Sequence, residues 1–151
     1  WMATSTFNMI TGRDGITLSD KWRSRGTRTF LGLHSSGFPN LLIMTGPQGG
    51  GGSFNFTDAI EHHSDYAVWL LSLMRERGYA TFDVDEDTEL AYAQHCREAD
   101  IATAPLRDCL SYYNGDGRAE PGSLAYYGAG QWHRWRKRAQ ESLEPYVFSA
   151  R

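Results

Sequence analysis

The residues best suited to chemistry in this chain are its tyrosines, which lie on both sides of a turn-rich stretch. Tyr112 and Tyr113 come directly before that stretch, and Tyr126 and Tyr127 follow it. A tyrosine offers an apolar ring and a hydroxyl donor, so these four side chains with Trp132 are typical of a pocket for a lipophilic, lightly functionalised ligand. The alternative interpretation is that they form the core of a small protein.

Two adjacent histidines are the second candidate for a functional site. His62 and His63 lie next to Glu61 and close to Asp65, which brings several acid–base groups onto two turns of a predicted helix. Neighbouring residues on a helix point about 100° apart, and neither histidine has a histidine four residues away, so the pattern does not predict a metal site. His63 falls on the apolar side of that helix. We therefore expect His63, rather than His62, to meet a ligand or a buried partner.

Four consecutive glycines, at positions 49–52, follow the stretch Thr45-Gly46-Pro47-Gln48. A phosphate cradle would place such a loop between a strand and a helix N-terminus, and that order of elements is predicted here. The Lys-Ser or Lys-Thr of a P-loop does not follow, however, and the glycines lack the spacing of a dinucleotide-binding motif. We interpret them as a flexible loop.

A basic run at residues 134–138 surrounds Trp135 near the end of the chain. Basic residues around an aromatic side chain are typical of patches that bind nucleic acids or other anions. The whole chain carries 15 Lys and Arg against 18 Asp and Glu, a formal net charge of -3, so no overall field would attract nucleic acid or an anionic membrane. We interpret the run as a solvated helix face, with the acidic segment at residues 83–89 as a candidate partner.

Composition indicates one globular domain. The chain has 151 residues, of which 40% are hydrophobic and 13% aromatic, enough to form a core. No apolar run reaches the roughly 18 residues needed to span a bilayer. The two cysteines, Cys96 and Cys109, form no CxxC pair and have no basic neighbourhood, and no GxSxG motif occurs. We expect a cytoplasmic protein with reduced thiols, without a metal and without a nucleophilic mechanism.

The predicted elements that would position these side chains are short strands and amphipathic helices. The apolar run Leu41-Leu42-Ile43-Met44, bounded by turn residues, predicts a buried strand. Apolar residues at spacings of three and four from Phe56 to Met74 predict the longest helix, which Ser53 or Asn55 caps and Gly78 ends.

Further segments complete an α+β fold with a few short strands and about three main helices. Residues 81–84 predict a strand, residues 85–99 a second helix, and residues 131–143 a final helix. Residues 16–22 predict a short strand or an irregular hook.

A series of short sequence motifs occurs along nearly the whole chain. The most specific is Gly37-Phe38-Pro39-Asn40-Leu41 followed by Thr45-Gly46-Pro47-Gln48. The others are Gly12-Arg13-Asp14-Gly15, Leu18, Trp22, Arg28-Thr29-Phe30-Leu31-Gly32, Ile60-Glu61-His62-His63, Trp69, Ser111-Tyr112-Tyr113-Asn114-Gly115, Tyr127-Gly128-Ala129-Gly130 and Arg136-Lys137. In order and spacing they resemble the C-terminal part of flavin-dependent Baeyer-Villiger monooxygenases.

The resemblance stops short of the cofactor-binding motifs of that family. The N-terminal GxGxxG motif for flavin, the second nucleotide fold for NADPH and the linker fingerprint between them do not occur in this sequence. Leu110-Ser111 precedes Tyr112 where the family has Asn-Ser before an aromatic residue that faces the nicotinamide, and four glycines replace a Ser-Pro type loop near the flavin. We interpret Met2 as the natural start and Trp1 as an added residue, which predicts a single truncated monooxygenase-like domain over residues 2–151.

Without a flavin fold, the resemblance excludes self-sufficient oxygenation and leaves three interpretations. The first, which we favour, is a cofactor-independent, non-redox enzyme of secondary metabolism, such as a cyclase or pericyclase that folds a terpenoid or polyketide for a Diels-Alder type reaction. It would bind a lipophilic small molecule and form a homodimer. The second is the C-terminal subunit of a split oxygenase, completed by a flavoprotein subunit with the flavin and NADPH sites. The third is a non-catalytic binding protein.

The first interpretation assigns two sets of site residues by loop position and residue type. The expected hydrogen-bond donors are Tyr113, Tyr127, Gln48 and His63. The expected substrate-binding residues are Phe54, Tyr112, Tyr126, Trp132 and Asn55.

Overall fold

Helices dominate the described part of the fold, which also contains one antiparallel pair of strands from distant parts of the chain. The computed structural model describes residues 5–49, 55–99 and 129–150. In chain order the elements of these ranges are α1 (Ser5–Met9), a 3-10 turn (Arg13–Gly15), α2 (Leu18–Arg25), α3 (Phe56–Arg77), β1 (Tyr79–Val84), α4 (Glu86–Glu98), α5 (Ala129–Ser142) and β2 (Tyr146–Ala150). The predicted α+β class with three long helices is confirmed.

The longest helix, α3, begins and ends where the sequence predicts. The Asn55 side chain accepts a hydrogen bond from the backbone N–H of Thr57 at 2.9 Å, which satisfies one of the free donors at the N-terminus. Gly78 ends the helix in the left-handed conformation, with φ of 68°, that glycine adopts without strain. The helix buries one face against the core. Its buried residues are Ala59, His63, Tyr66, Leu70 and Met74.

The sheet pairs β1 with β2, and only β1 was predicted. The strands are antiparallel, with Phe82 opposite Phe148 and Val84 opposite Tyr146. Phe82, Val84 and Tyr146 are buried, so the inner face of the pair belongs to the core. β2 follows α5 after a short turn at the very end of the chain, and its five residues are too few to show a clear period of two.

One main core joins the sheet to α3, α4, α5 and the segment before α3. Its buried side chains are Phe30, Leu31, Leu33, Tyr66, Leu70, Met74, Phe82, Val84, Tyr92, Cys96, Trp132, Ala139 and Tyr146. A second, smaller cluster holds the N-terminal elements, and it consists of Phe7, Leu18, Trp22 and Phe38.

Two predicted elements are wrong. Residues 16–22 were predicted as a short strand or an irregular hook, but Leu18–Arg25 form helix α2, whose N-terminus is capped by the Thr17 side chain, which accepts from the backbone N–H of Asp20 at 3.1 Å. The run Leu41–Met44 forms no strand within the described residues, and it ends in a turn. A strand needs a ladder partner, and the nearby edge of β1 bonds instead to Asn40, whose backbone N–H donates to Phe82 O at 3.0 Å.

A buried ion pair fastens α2 to α4. Glu89 is fully buried, and its carboxylate accepts from Lys21 Nζ at 2.8 and 2.9 Å. Ser35 Oγ and the backbone N–H of Ser36 donate to the same carboxylate, both at 3.0 Å, and the Arg28 guanidinium lies 3.2 Å away. A carboxylate can remain charged in a core only where such partners replace its hydration.

The acidic segment 83–89 therefore pairs with the N-terminal part of the chain. Besides the Lys21–Glu89 pair, Asp83 accepts from Arg13 Nε at 3.2 Å. Within the described ranges, the ion pairs of this segment do not involve the basic run 134–138, in contrast to the partner expected from the sequence.

Among the described residues, no helix combines the length and the apolar character needed to cross a bilayer.

Candidate functional site

The start of the glycine-rich loop, residues 45–49, is held by buried side chains from three directions. We call this segment the loop anchor. Thr29 Oγ1 donates to Pro47 O at 2.6 Å, and the Tyr92 hydroxyl donates to Gln48 O at 2.7 Å. His63 Nε2 bonds Gly49 O at 3.2 Å. Three successive carbonyl groups thus each accept from a different buried side chain, which fixes the path of the backbone as it enters the loop.

Close backbone contacts lock the anchor against the segment around Gly32. A Cβ atom on Gly32 would lie 2.2 Å from the Cα atom of Gly49, and Gly32 has a positive φ of 71°. A Cβ atom on Gly46 would lie 2.5 Å from Gly32 O. Since Gly46 N also donates to Gly32 O at 3.0 Å, these glycines allow two stretches of backbone to touch directly.

His63 uses both ring nitrogens inside the fold. The backbone N–H of Thr45 donates to Nδ1 at 3.0 Å, so Nδ1 carries no proton and Nε2–H is the donor to Gly49 O. Burial lowers the pKa of His63 to about 4, with a backbone hydrogen bond opposing the shift. The imidazole is therefore neutral at physiological pH and acts as a two-ended clamp on the loop anchor.

Trp132 forms the wall behind this histidine. Its ring stacks on the His63 ring, with centroids 5.2 Å apart and an interplanar angle of 29°. The indole Nε1–H donates to Leu31 O at 2.9 Å, and the side chain is fully buried. Trp132 thereby connects α5 to the same backbone segment that Gly32 belongs to.

Gln48 lies inside the anchor with its amide bonded to backbone groups. Its Oε1 accepts from the backbone N–H of Thr29 at 2.9 Å, and its Nε2 donates to Thr27 O at 3.2 Å. The side chain is fully buried, and the backbone φ is 65°. The structure thus brings Gln48, His63 and Trp132 together around one loop, as members of a single cluster.

Of the remaining residues of the predicted site, the structure describes Asn55 only. Asn55 caps α3 and is exposed to solvent. The others lie outside the described residues, and they are Phe54, Tyr112, Tyr113, Tyr126 and Tyr127. The roles of these residues, and the donor roles of Gln48 and His63, stay predictions.

Sequence reasoning missed two members of the cluster, Thr29 and Tyr92. Thr29 lies in one of the motifs that carry the family resemblance, and this was its available signal. Tyr92 lies 44 residues from its partner Gln48, and only its place on the buried face of a predicted helix marks it.

A second polar cluster, formed by Tyr66, Tyr146 and His34, crosses the core. The hydroxyl groups of Tyr66 and Tyr146 lie 2.6 Å apart, and Tyr146 Oη lies 3.0 Å from His34 Nε2. Burial lowers the pKa of His34 to about 3, and burial raises the pKa of both tyrosines. All three groups are therefore neutral at physiological pH, and their hydrogen bonds join β2 to α3 and to His34.

The described residues contain no group of three or more His, Cys, Asp or Glu side chains placed to hold a metal ion. The chemistry available at the loop anchor is that of neutral hydrogen bonds and an aromatic wall.

Comparison with known proteins finds homologues of this chain. No protein-family model matches the chain. A Baeyer-Villiger monooxygenase of Streptomyces coelicolor is 34% identical to it over 144 residues, which cover 89% of this chain and 23% of that enzyme. The chain is a homologue of Baeyer-Villiger monooxygenases. The resemblance to these monooxygenases that the motifs indicate is confirmed.

Solved monooxygenases share the fold of this chain. A steroid monooxygenase bound to NADP superposes with a TM-score of 0.78 at 26% identity, covering 91% of this chain and 25% of that one. A cyclohexanone monooxygenase from Rhodococcus sp. Phi1 superposes with a TM-score of 0.79 at 18% identity, covering 97% of this chain and 28% of that one. This chain therefore spans about a quarter of the length of these proteins and has the fold of their C-terminal segment.

The parallel-strand arrangement that binds dinucleotides does not occur among the described residues. Dinucleotides bind at the carboxyl ends of parallel strands, where a glycine-rich turn meets a helix. The two strands that the described part contains are antiparallel, and the loop anchor directs its carbonyl groups toward buried side chains.

Proposed function

We propose that this chain acts as the C-terminal segment of a flavin-dependent Baeyer-Villiger monooxygenase, in which a further protein part binds the flavin and NADPH. That part is either a separate subunit or another region of a longer polypeptide. The observation that carries the proposal is the loop anchor, since Thr29, His63 and residues 45–48 belong to the motifs shared with the family and the anchor fixes the backbone as it enters the loop that the resemblance brings near the flavin.

The residues of the anchor suit a structural wall beside a reaction centre. Thr29, His63 and Tyr92 hold three carbonyl groups in place before any ligand arrives, so no ordering is needed at the moment of binding. The imidazole of His63 is neutral and Trp132 is apolar, so this side of the loop adds no charge to a site from which water must be excluded.

A chimera tests this proposal directly. The chain replaces the matching segment of the Streptomyces coelicolor monooxygenase, and the purified product is examined for flavin absorbance and for NADPH oxidation that depends on a ketone accepted by the parent enzyme. We expect a yellow protein with ketone-dependent NADPH oxidation. A folded chimera that retains flavin but oxidises no ketone would contradict the proposed function.

The non-redox cyclase predicted from the sequence is the second candidate function. Its support is the neutral, partly aromatic surroundings of Gln48, His63 and Trp132, which suit a reaction that needs shape and hydrogen bonds alone. Polyene and terpenoid substrates are incubated with the full chain in the absence of flavin and NADPH. Turnover that falls when Tyr113 and Tyr127 are replaced by phenylalanine would favour the cyclase over the monooxygenase segment.

The predicted homodimer and the flavoprotein partner are tested by the same preparation. Sedimentation of the chain alone distinguishes a monodisperse dimer, expected of an independent enzyme, from a heterogeneous species that becomes homogeneous only with a flavoprotein. Ligand binding without turnover in every assay would favour the third interpretation, a binding protein.

A further inference from the structure

The buried hydroxyl groups of Tyr66 and Tyr146 lead to an imidazole that can accept a proton. His34 Nδ1 lies 3.4 Å from Leu41 O, and a carbonyl oxygen only accepts, so the proton of His34 is on Nδ1. His34 Nε2 therefore accepts from the Tyr146 hydroxyl at 3.0 Å, and Tyr146 Oη accepts from the Tyr66 hydroxyl at 2.6 Å. A base thus lies within proton-transfer distance of a buried phenol.

Tyr92 shows a different way to bury a tyrosine in the same core. The side chain of Tyr92 is fully buried, and its hydroxyl donates to Gln48 O at 2.7 Å. A backbone carbonyl group accepts a hydrogen bond but does not take up the proton, whereas a neutral imidazole does both. The partner of Tyr146 therefore permits a reaction in which the phenol gives up its proton.

The reaction that suits this pair is loss of one electron from the tyrosine. Burial lowers the pKa of His34 to about 3, so its imidazole takes no proton from an intact phenol. A tyrosine that has lost an electron is a very strong acid, and it would release its proton even to such a weak base. The hydrogen bond to Leu41 O favours the protonated form of His34 that results.

Trp69 connects these tyrosines to the surface. Its ring centroid lies 5.0 Å from that of Tyr66, one turn earlier on α3, and its side chain is half-buried. Tyrosine and tryptophan are the aromatic side chains that lose an electron most easily. A path of short steps therefore leads from Tyr146 in the core, through Tyr66, to a tryptophan that solvent reaches.

The inner end of this path lies close to the loop anchor. His34 follows Gly32 by two residues, and a Cβ atom on Gly32 would lie 2.2 Å from the Cα atom of Gly49. The same core contains Met74 and Cys96. Their sulfur atoms are common targets of oxidative damage, so a route that removes oxidants from this region would protect the core.

We propose that Tyr146, Tyr66 and Trp69, with His34 as the proton acceptor, form a relay that carries one-electron oxidising equivalents from the neighbourhood of the loop anchor to the surface. The oxidant is an oxygen-derived radical, of the kind that arises when an oxygenase releases hydrogen peroxide, and a soluble thiol reduces the outer end. The inference rests on the proposed function for the origin of this oxidant.

Each step of the relay moves a defined electron and proton. The oxidant takes one electron from Tyr146, whose hydroxyl proton moves to His34 Nε2 and leaves a neutral tyrosyl radical. Tyr66 then donates a hydrogen atom to Tyr146 Oη, and Trp69 donates an electron to the Tyr66 radical. The proton returns from His34 through Tyr146 to Tyr66. A thiolate finally reduces the Trp69 radical cation and becomes a thiyl radical.

Radical formation in the full chain tests the inner end of the relay. Photo-excited tris(bipyridine)ruthenium with persulfate supplies the oxidant, and electron paramagnetic resonance of freeze-quenched samples measures the tyrosyl radical. We expect Tyr146→Phe to lower the long-lived signal at least about threefold, because the oxygen next to the proton acceptor is gone. Tyr92→Phe is the matched control and should retain the signal. An unchanged signal in Tyr146→Phe would overturn the relay.

The role of His34 is tested by isotope labelling. Tyr66→Phe confines the radical to Tyr146, and in this variant pulsed electron paramagnetic resonance should detect a nitrogen coupling that changes when the histidines are isotopically labelled. A Tyr146 radical without this coupling would overturn the assignment of His34 as the proton acceptor. The measurement needs no change at Tyr146 or His34, so it remains decisive if variants at those positions do not fold.

Decay of the radical tests the outer end. With glutathione as the reductant, the tyrosyl signal of Trp69→Phe should decay at least about fivefold more slowly than that of the unsubstituted chain, because the route to the surface is broken. The matched control is Trp135→Phe, another half-buried tryptophan, whose ring centroid lies 5.4 Å from that of Tyr92. Equal decay in Trp69→Phe and the unsubstituted chain would overturn the exit through Trp69.

These readouts separate the relay from the proposed function. They use the chain alone with an added oxidant, so a chimera that oxidises no ketone would contradict the monooxygenase function and leave the relay standing. A chain without the Tyr146 radical would overturn the relay and leave the monooxygenase function standing.

Discussion

The loop anchor and the exposed face of α3 differ in what surrounds their side chains. At the loop anchor, buried polar groups meet partners within the described residues, and Thr45, Pro47, Gln48 and Gly49 are all held by named donors or acceptors. On α3, by contrast, the apolar side chains of Phe56, Val68 and Leu71 are more than half exposed. The difference teaches that the buried hydrogen-bonding groups of the loop anchor are paired within the fold, whereas apolar side chains can remain exposed on the neighbouring helix.

That contrast has an energetic reason. An unsatisfied buried polar group costs about 1–3 kcal/mol, so the anchor must be complete before the chain is stable. An exposed leucine or valine costs nothing comparable, because more than half of any folded surface is apolar. Apolar side chains can therefore remain exposed at little cost in stability, whereas the buried polar groups of the loop anchor need hydrogen-bond partners.

The largest expected effect comes from breaking the anchor at Gly32. Gly32→Ala would place a Cβ atom 2.2 Å from the Gly49 Cα atom at a φ of 71°, so the two backbones must separate. We expect a loss of about 3 kcal/mol or more in the free energy of unfolding, measured by urea denaturation. Gly78→Ala is the matched control. Gly78 lies in the left-handed region with a φ of 68° and has nothing within 4 Å of its added Cβ, so that variant should lose only the conformational part, about 1–2 kcal/mol. Equal losses in both variants would show that the close contact is not needed.

Replacing the clamp on the anchor should cost slightly less. His63→Leu leaves the N–H of Thr45 and the carbonyl group of Gly49 without their partner, and we expect a loss of about 2–3 kcal/mol in urea denaturation. His63→Gln keeps an acceptor and a donor on a side chain of similar reach and should recover at least half of the loss. A glutamine variant as unstable as the leucine variant would argue that the stack on Trp132, rather than the two hydrogen bonds, holds the anchor.

Stability should also depend on pH through this histidine. The pKa of His63 is lowered to about 4 in the fold from an ordinary value near 6.5, so both states are neutral above pH 6.5 and the unfolded state binds the proton first below it. Stability therefore falls as pH falls from about 6.5 toward 4, by roughly 2 kcal/mol between pH 6.5 and 5. His34, whose pKa is about 3, adds a second share of the same sign.

The glutamine variant isolates the share of His63. Urea unfolding at pH 7, 6 and 5 should show a shallower decline for His63→Gln than for the unsubstituted chain, because one of the two histidines no longer titrates. Parallel declines in the two proteins would mean that the acid sensitivity arises from other groups.

The sequence predicts one side of this comparison better than the other. Helix α3 could be predicted, since its periodicity, its Asn55 cap and its Gly78 stop are all local signals. The anchor could not, because its bonds join residues 14 to 44 positions apart, such as Tyr92 and Gln48, and no local pattern encodes them.

The run Leu41–Met44 is the instructive failure. Its composition predicts a buried strand, and the described part of the chain provides no strand beside it. The pattern reports the environment for which the residues are suited, and a fold can supply that environment only if the neighbouring strands are present. The local rule and the structure therefore disagree at residues 41–44.

The smallest expected effect on stability comes from placing charges on the exposed apolar stripe of α3, which includes Val68 and Leu71. Val68→Asp with Leu71→Asp should change the free energy of unfolding of the chain alone by less than about 1 kcal/mol, because both side chains are already more than half exposed. Leu90→Asp should have an effect of the same size, and urea denaturation of all three proteins measures both. If the stripe served the chain's own fold, its double variant would be several kcal/mol less stable than this control. A double variant as stable as the control would show that these exposed side chains contribute little to the stability of the chain itself.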